Sequence, residues 1–318
     1  MRVLDRRKLR RLLFVFSLIL FAGIVILSMS DRERRCLEVE ILSVQEPSWL
    51  QTYEYRDYSD YLFYNGQKAA VDTQTSTIYI AQDITPEAKA EDLQGNLKLS
   101  SSRHRLLFAQ DEAFDSLKEA MAGNHGFVLY VTDFSGNYMQ YNVVFTTLPV
   151  LRMDGAFLGN YDERNREINQ GNLCLWTPKD PDTGHYSVKE SNVHWHIRGG
   201  SSANQPKTPW KLSLKKKTGT NKNLSLAGLG SDDDWILNPM RLDDTKLKEK
   251  LFIQLWDQRA DQTDWNVRMS RGEYVEVIIN KTYMGIFQLQ RRVDGKLLEL
   301  DPTDILLKGC GGWNSASV

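Results

Sequence analysis

The feature that most constrains this chain is a recurring pattern: short runs of β-branched and aromatic residues set apart by turn residues. From Ser48 to about Val150 the runs YLFYNGQKAAV, STIYIAQDI, GFVLYVTD and YMQYNVVFTTLPVL follow one another, with Asn65-Gly66 and Ser135-Gly136-Asn137 as turn signals. Such turns accept positive φ, and the runs between them suit pleated strands. The pattern predicts a β-rich lead-in domain, interrupted by one helix over about 111–122, where Phe114, Leu117 and Met121 recur at helical spacing. The signature returns late in the chain, where Tyr274 to Ile279, a turn at Asn280-Lys281 and Tyr283 to Gln290 predict a further hairpin.

Ahead of these runs, Leu12 to Met29 holds eighteen residues without a charge, the lower end of what a helix needs to cross a bilayer core. Six bases (Arg2, Arg6, Arg7, Lys8, Arg10 and Arg11) precede it, and the mixed-charge DRERR follows. By the positive-inside bias the N-terminus then lies in the cytoplasm. A cleaved secretory signal would need small residues at its exit, and ILSMSDRERRC offers no AxA site. The expectation is a signal anchor: a single-pass protein of the cell membrane, with its N-terminus cytoplasmic and its bulk extracytoplasmic. The expected organisation is a stub over 1–11, a transmembrane helix over 12–29, linker and lead-in domain over 30–150, and a second domain over 151–318.

Charge narrows the partners. The formal net charge is -1, yet the first eleven residues carry six bases against Asp5, so the rest of the chain is acidic and presents no global basic field for nucleic acid. The three cysteines, Cys36, Cys174 and Cys310, are widely scattered with no CxxC pair, which argues against a disulfide framework and a zinc ribbon.

The most informative stretch begins at SNVHWHIRGGSSANQPKTPWKLSLKKK. A strand from about Asn192 to Arg198 runs into Gly199-Gly200-Ser201-Ser202, and a second strand from Trp210 places Leu212 and Leu214 with Trp210 on one face, and Lys211, Ser213 and Lys215 on the other. Between Arg198 and Ser231 there are seven bases and no acid. Glycine amides, serine hydroxyls and a lysine on the next strand suit a phosphate. A Gly-Gly hairpin followed by a solvated lysine run fits the same residues.

Asp232 to Asp234 could hold a hard cation, but neighbouring carboxylates on an extended stretch point to alternate faces, so the triplet reads as a solvated turn. Asp243 or Asp244 then caps a helix whose Leu247, Leu251, Phe252, Leu255 and Trp256 form one apolar stripe. Glu249 lies off that stripe, free to pair with a lysine or to face water. His194 and His196 share one face of a strand without a third ligand at a recognisable spacing, so no metal site is expected there. Asn223-Leu-Ser and Asn280-Lys-Thr match the glycosylation pattern, and no function is attached to them.

Taken in order, IRGGSS, PKTPWKLSLKKK, LAGLG, DDDWILNP, LDDTKLKEKL, YVEVIINKTYMGIFQLQ, VD and ILLKG resemble the CotH family, spore-coat proteins that include atypical protein kinases. The resemblance implies an α+β fold class: behind the anchor and the β-rich lead-in, a protein-kinase-like N-lobe of antiparallel sheet plus helix. It implies ATP with Mg2+ as cofactors and Ser/Thr phosphorylation of coat or cell-surface proteins; a non-catalytic coat-assembly module is the alternative. Carried onto this chain, Arg198, Gly199, Gly200, Ser201 and Ser202 would cover phosphates, Lys207 or Lys211 would contact them, and Phe287 or Gln288 would lie near the adenine. The chain departs from the family where a glutamate commonly precedes VD, since Arg291-Arg292 stands there. No catalytic aspartate is assigned: in a kinase it follows the hinge, and the sequence past Lys308 reads GCGGWNSASV. The resemblance therefore implies an N-lobe alone, with little phosphotransfer expected.

Overall fold

The computed structural model describes residues 37–38, 40–41, 50–83, 96–101, 103–110, 127–160, 166–262 and 269–306. The chain divides into two compact units, one holding Met1–Ala69, Thr75–Ile78 and Ile84–Val144, the other Ala70–Gln74, Tyr79–Asp83 and Phe145–Val318.

In the first unit, His104–Gln110, Phe127–Asp133 and Asn137–Thr146 form an antiparallel meander in which Leu129 lies opposite Phe108 on one side and Tyr141 on the other. All three side chains are buried. A second small sheet pairs Leu62–Tyr64 with Gln67–Lys68. The turn between them is Asn65-Gly66, with φ of 49° and 79°, the two positive values that a right-twisted two-residue hairpin requires. The lead-in domain is β-rich as its sequence pattern implies, and the helix expected over 111–122 lies outside the described residues.

The second unit is built on seven strands: β1 (Val150–Asn160), β2 (Glu167–Thr177), β3 (Ser187–Ile197), β4 (Trp210–Lys215), β5 (Asp234–Asn238), β6 (Gly272–Ile279) and β7 (Thr282–Arg291). They close into a barrel in the order β1-β2-β3-β4-β5-β7-β6, sealed by a parallel ladder that sets Val150 opposite Glu276 and Met153 opposite Ile279. Every second residue points inward: Leu151 and Met153, Leu173 and Leu175, Val193 and Trp195, Leu212 and Leu214, Trp235 and Leu237, Val275 and Val277, Phe287 and Leu289 make one core. Trp195 and Trp235 are fully buried, and an aromatic of that size removes about 200 Å² from water, a gross contribution of about 5 kcal/mol each. The β6–β7 hairpin turns at Asn280 and Lys281, again with two positive φ values, as its sequence implies.

Two expectations are corrected here. The fold is not an α+β kinase N-lobe: strands make up 50% of it, and among the described residues there is one α-helix, α1 (Lys248–Asp261). The physical reason is the parallel β1–β6 ladder, which joins what would be sheet edges and turns an open sheet into a barrel. The second correction concerns location. Among the described residues no helix is long and apolar enough to cross a membrane, and the stretch 12–29 lies outside them, so a single-pass membrane protein is not supported.

Helix α1 also differs from its sequence expectation. Asp243 accepts hydrogen bonds from the Thr245 and Lys248 amides, but residues 243–247 form a turn and the helix begins at Lys248. Leu247, Leu251, Phe252 and Leu255 are exposed, whereas Ile253, Asp257 and Ala260 are buried. The helix is tied to β6 largely through charge: Lys250 bonds Glu273 at 2.6 Å and sits 4.7 Å above the Tyr274 ring, and the Arg271 guanidinium donates to Asp257.

Candidate functional site: a cationic cleft at the barrel mouth

The chain leaves β3 at Ile197 and returns as β4 at Trp210. The Arg198 amide donates to the Pro209 carbonyl at 3.0 Å and closes the base of this excursion. The Arg166 guanidinium donates to the Ile197 and Gly199 carbonyls and pins its first limb. Gly199 has φ +97°, and a Cβ there would lie 2.1 Å from the Ser202 hydroxyl. Only glycine lets the short 3-10 turn Ser201–Asn204 fold back at this point.

A cleft of about 420 Å³ opens between this loop and the segment from Asn238 to Glu249. Of the residues expected to hold phosphate, Arg198, Ser202 and Lys207 line it. Gly200 instead lines a separate depression with Arg166, Glu167 and Trp210, and the glycine pair serves the turn. Lys207 reaches across to β7, where its ammonium donates to the Ile286 carbonyl and stands 4.3 Å above the centre of the Phe287 ring. Phe287 is a core residue, so it touches the site only as the surface beneath Lys207. Gln288 points away: it is fully buried, and both ends of its amide lack a hydrogen-bond partner among the described residues.

Lys211 has a different environment. It pairs with Asp234 at 3.0 Å, and Asp234 also accepts from Ser213 at 2.7 Å and from Arg292 at 3.1 Å. Asp232 and Asp233 are buried, not solvated: Asp232 pairs with Arg291 at 3.0 Å and Lys296 at 2.9 Å, and Lys296 also bonds Asp233. The triplet is thus an ion-pair lattice that holds β5 to the segment after β7. Burial alone would raise the Asp232 carboxyl, but the bonds from Lys296, its neighbouring amides and Arg291 bring it down to about 2. The Arg291-Arg292 departure acquires a structural reason, since each arginine answers one aspartate.

The cleft itself is electrostatically incomplete. Lys246, to which the sequence pattern assigns no binding role, lines it and donates to the Met240 carbonyl at 2.9 Å. Among the described residues no carboxylate lies within ion-pairing distance of Arg198, Lys207 or Lys246. Burial lowers the Lys207 ammonium below the ordinary lysine range, and Lys246 lowers it further against a smaller opposing pull from Glu276. Burial also lowers Arg198, with Arg292 and Arg166 adding to it. Glu249, at the cleft's edge, accepts from Asn238 at 2.7 Å. Asp243 is held near 2 by hydrogen bonds from Thr245 and Lys248. The signal that could have found Lys246 is its place in the Asp-Asp-Thr-Lys turn between a strand ending in Asn-Pro and a helix.

No group of three His, Cys, Asp or Glu among the described residues could hold a metal ion. His194 is lowered by burial and by Lys215. Cys174 is free and buried in the barrel wall, and burial raises its thiol.

Against models of protein families, residues 195–308 match the one described as CotH kinase protein. Over that stretch the chain is similar to CotH proteins. The match runs from the end of β3 past β7 and includes the 198–209 loop, the cleft and α1. The CotH resemblance read from IRGGSS onward is thereby borne out. No curated protein matches the chain.

Proposed function

We propose that the cleft of the CotH domain binds the phosphates of a nucleotide, and that the domain works in phosphoryl transfer to serine or threonine of coat or surface proteins. One observation carries the reading: Arg198, Lys207 and Lys246 converge on one cleft, with the two lysines bonded to backbone carbonyls and, among the described residues, no carboxylate within ion-pairing distance of any of the three. Cations gathered at close quarters repel one another and lose hydration, and a polyphosphate relieves both costs. Arg198 is suited to bridge two phosphate oxygens, and Lys207 and Lys246 act as point charges. ATP therefore fits the residues present. The divalent ion that the family implies does not find a three-ligand set among the described residues, and no step is drawn through it.

The test is calorimetric titration of the full chain with ATP and with inorganic triphosphate, followed by incubation with γ-labelled ATP, Mg2+ and a serine-rich acceptor. Binding of both ligands, weakened at least tenfold by Arg198→Ala, is the expected result. No binding at millimolar concentration would overturn the reading. Binding without label transfer would confine the function to a non-catalytic, nucleotide-responsive assembly module.

A further inference from the structure

Three consecutive residues of β7 meet the Lys207 ammonium, each in a different way. The Ile286 carbonyl accepts its hydrogen bond. The Phe287 ring lies 4.3 Å beneath it and offers the negative face of its π-system. Gly285 leaves it room: a Cβ built at Gly285 would come to 3.3 Å from Nζ and 3.8 Å from Cε, and the backbone there has φ +86°. Gly285 and Phe287 share the inward face of β7, through Val277 and Val275 opposite them, so the ammonium rests over the mouth of the barrel. The lysine comes from a loop that is itself short of strand partners. Its position is therefore fixed by the strand it lands on.

We propose that Gly285 is a positioning residue for the phosphate-binding cleft, keeping open the seat on β7 in which Lys207 is held toward the anion. This inference rests on the phosphate-binding reading and adds to it the reason why that place on the strand is glycine. A side chain at 285 displaces the ammonium by a few tenths of an ångström, off the ring and the carbonyl together. The competing explanation is that glycine is needed only for its left-handed backbone, in which case a substitution harms the strand whatever residue 207 is.

A double-mutant cycle on the full chain separates the two, with inorganic triphosphate as the calorimetric probe. Lys207→Met is expected to weaken binding about tenfold and Gly285→Ala about three- to tenfold, while the double variant binds no more weakly than Lys207→Met alone. A Gly285→Ala effect that persists at full size in the Lys207→Met background overturns the proposal, as does the absence of an effect in the wild-type background. If Gly285→Ala does not fold, Phe287→Leu takes its place in the same cycle, with the same expected and overturning results. If Lys207→Met leaves triphosphate binding unchanged, the phosphate reading falls and positioning is judged separately. The ¹³Cε resonance of Lys207, assigned by its loss in Lys207→Met, should then titrate at higher pH in Gly285→Ala, closer to an ordinary lysine. A titration that does not move overturns the proposal.

Discussion

The two ends of strand β5 carry charge in opposite ways. At the entry, Asp232, Asp233 and Asp234 are each met by a base, in a lattice with Arg291, Arg292, Lys296 and Lys211. Past the exit at Asn238, Lys207 and Lys246 have carbonyls for partners and, among the described residues, no carboxylate within ion-pairing distance. Charges that answer one another within the fold specify structure. Charges without an ion-pair partner in a concavity are what the proposed phosphate site rests on, because the fold bears their repulsion without a structural return.

Removing one member from each end should expose the contrast. The largest effect is expected at Asp232→Asn, which leaves Arg291 and Lys296 facing an amide in a buried place and should cost about 3 kcal/mol in urea unfolding. The same variant tests a pH window. Asp232 is held from its ordinary 3.8 down to about 2, so its contribution is present above the ordinary value and is lost as pH falls toward the lower one. The stability gap between wild type and Asp232→Asn should therefore be constant near neutrality and close as the pH falls from about 4 to about 2. Next in size, Lys207→Met should weaken triphosphate about tenfold yet change unfolding stability by less than about 0.5 kcal/mol. A large stability loss there would make Lys207 structural and erase the contrast. Lys246→Met, at an exposed position, should weaken triphosphate about threefold. Smallest of all, raising NaCl from about 0.05 to about 0.5 M should weaken triphosphate binding while hardly moving the Asp232 effect, because buried pairs are screened less than an open cleft.

What the sequence disclosed follows the range of the interaction involved. Asn65-Gly66 and Asn280-Lys281 were legible as turns because φ is a local property, and Trp210, Leu212 and Leu214 were legible as one face because the period of a strand is local too. The barrel was not, since an open sheet and a closed one share the same alternation, and closure depends on Val150 meeting Glu276. The aspartate triplet reads as solvated because its partners, Lys211 on one side and Arg291, Arg292 and Lys296 on the other, are distant in sequence. The apolar stripe of α1 is legible as a stripe, but amphipathicity says only that a face is distinct, and the tertiary contacts leave Leu247, Leu251, Phe252 and Leu255 exposed. In the cleft, Arg198, Ser202 and Lys207 were legible from the basic loop. Lys246 was not, because it joins them only through the turn between β5 and α1.

Barrel closure also sets how this domain can be cut. The family match begins at residue 195, within the third strand, yet Leu151, Met153, Leu173, Leu175 and Val193 of the shared core all precede it. A fragment that starts at the edge of the match would lose β1 and β2, open the seam to β6 and leave Trp195, Val275 and Val277 without part of their packing. The compact unit that holds the barrel reaches back to Phe145 and takes in Ala70–Gln74 and Tyr79–Asp83 as well: the sequence that a family shares and the sequence that a fold needs have different borders here.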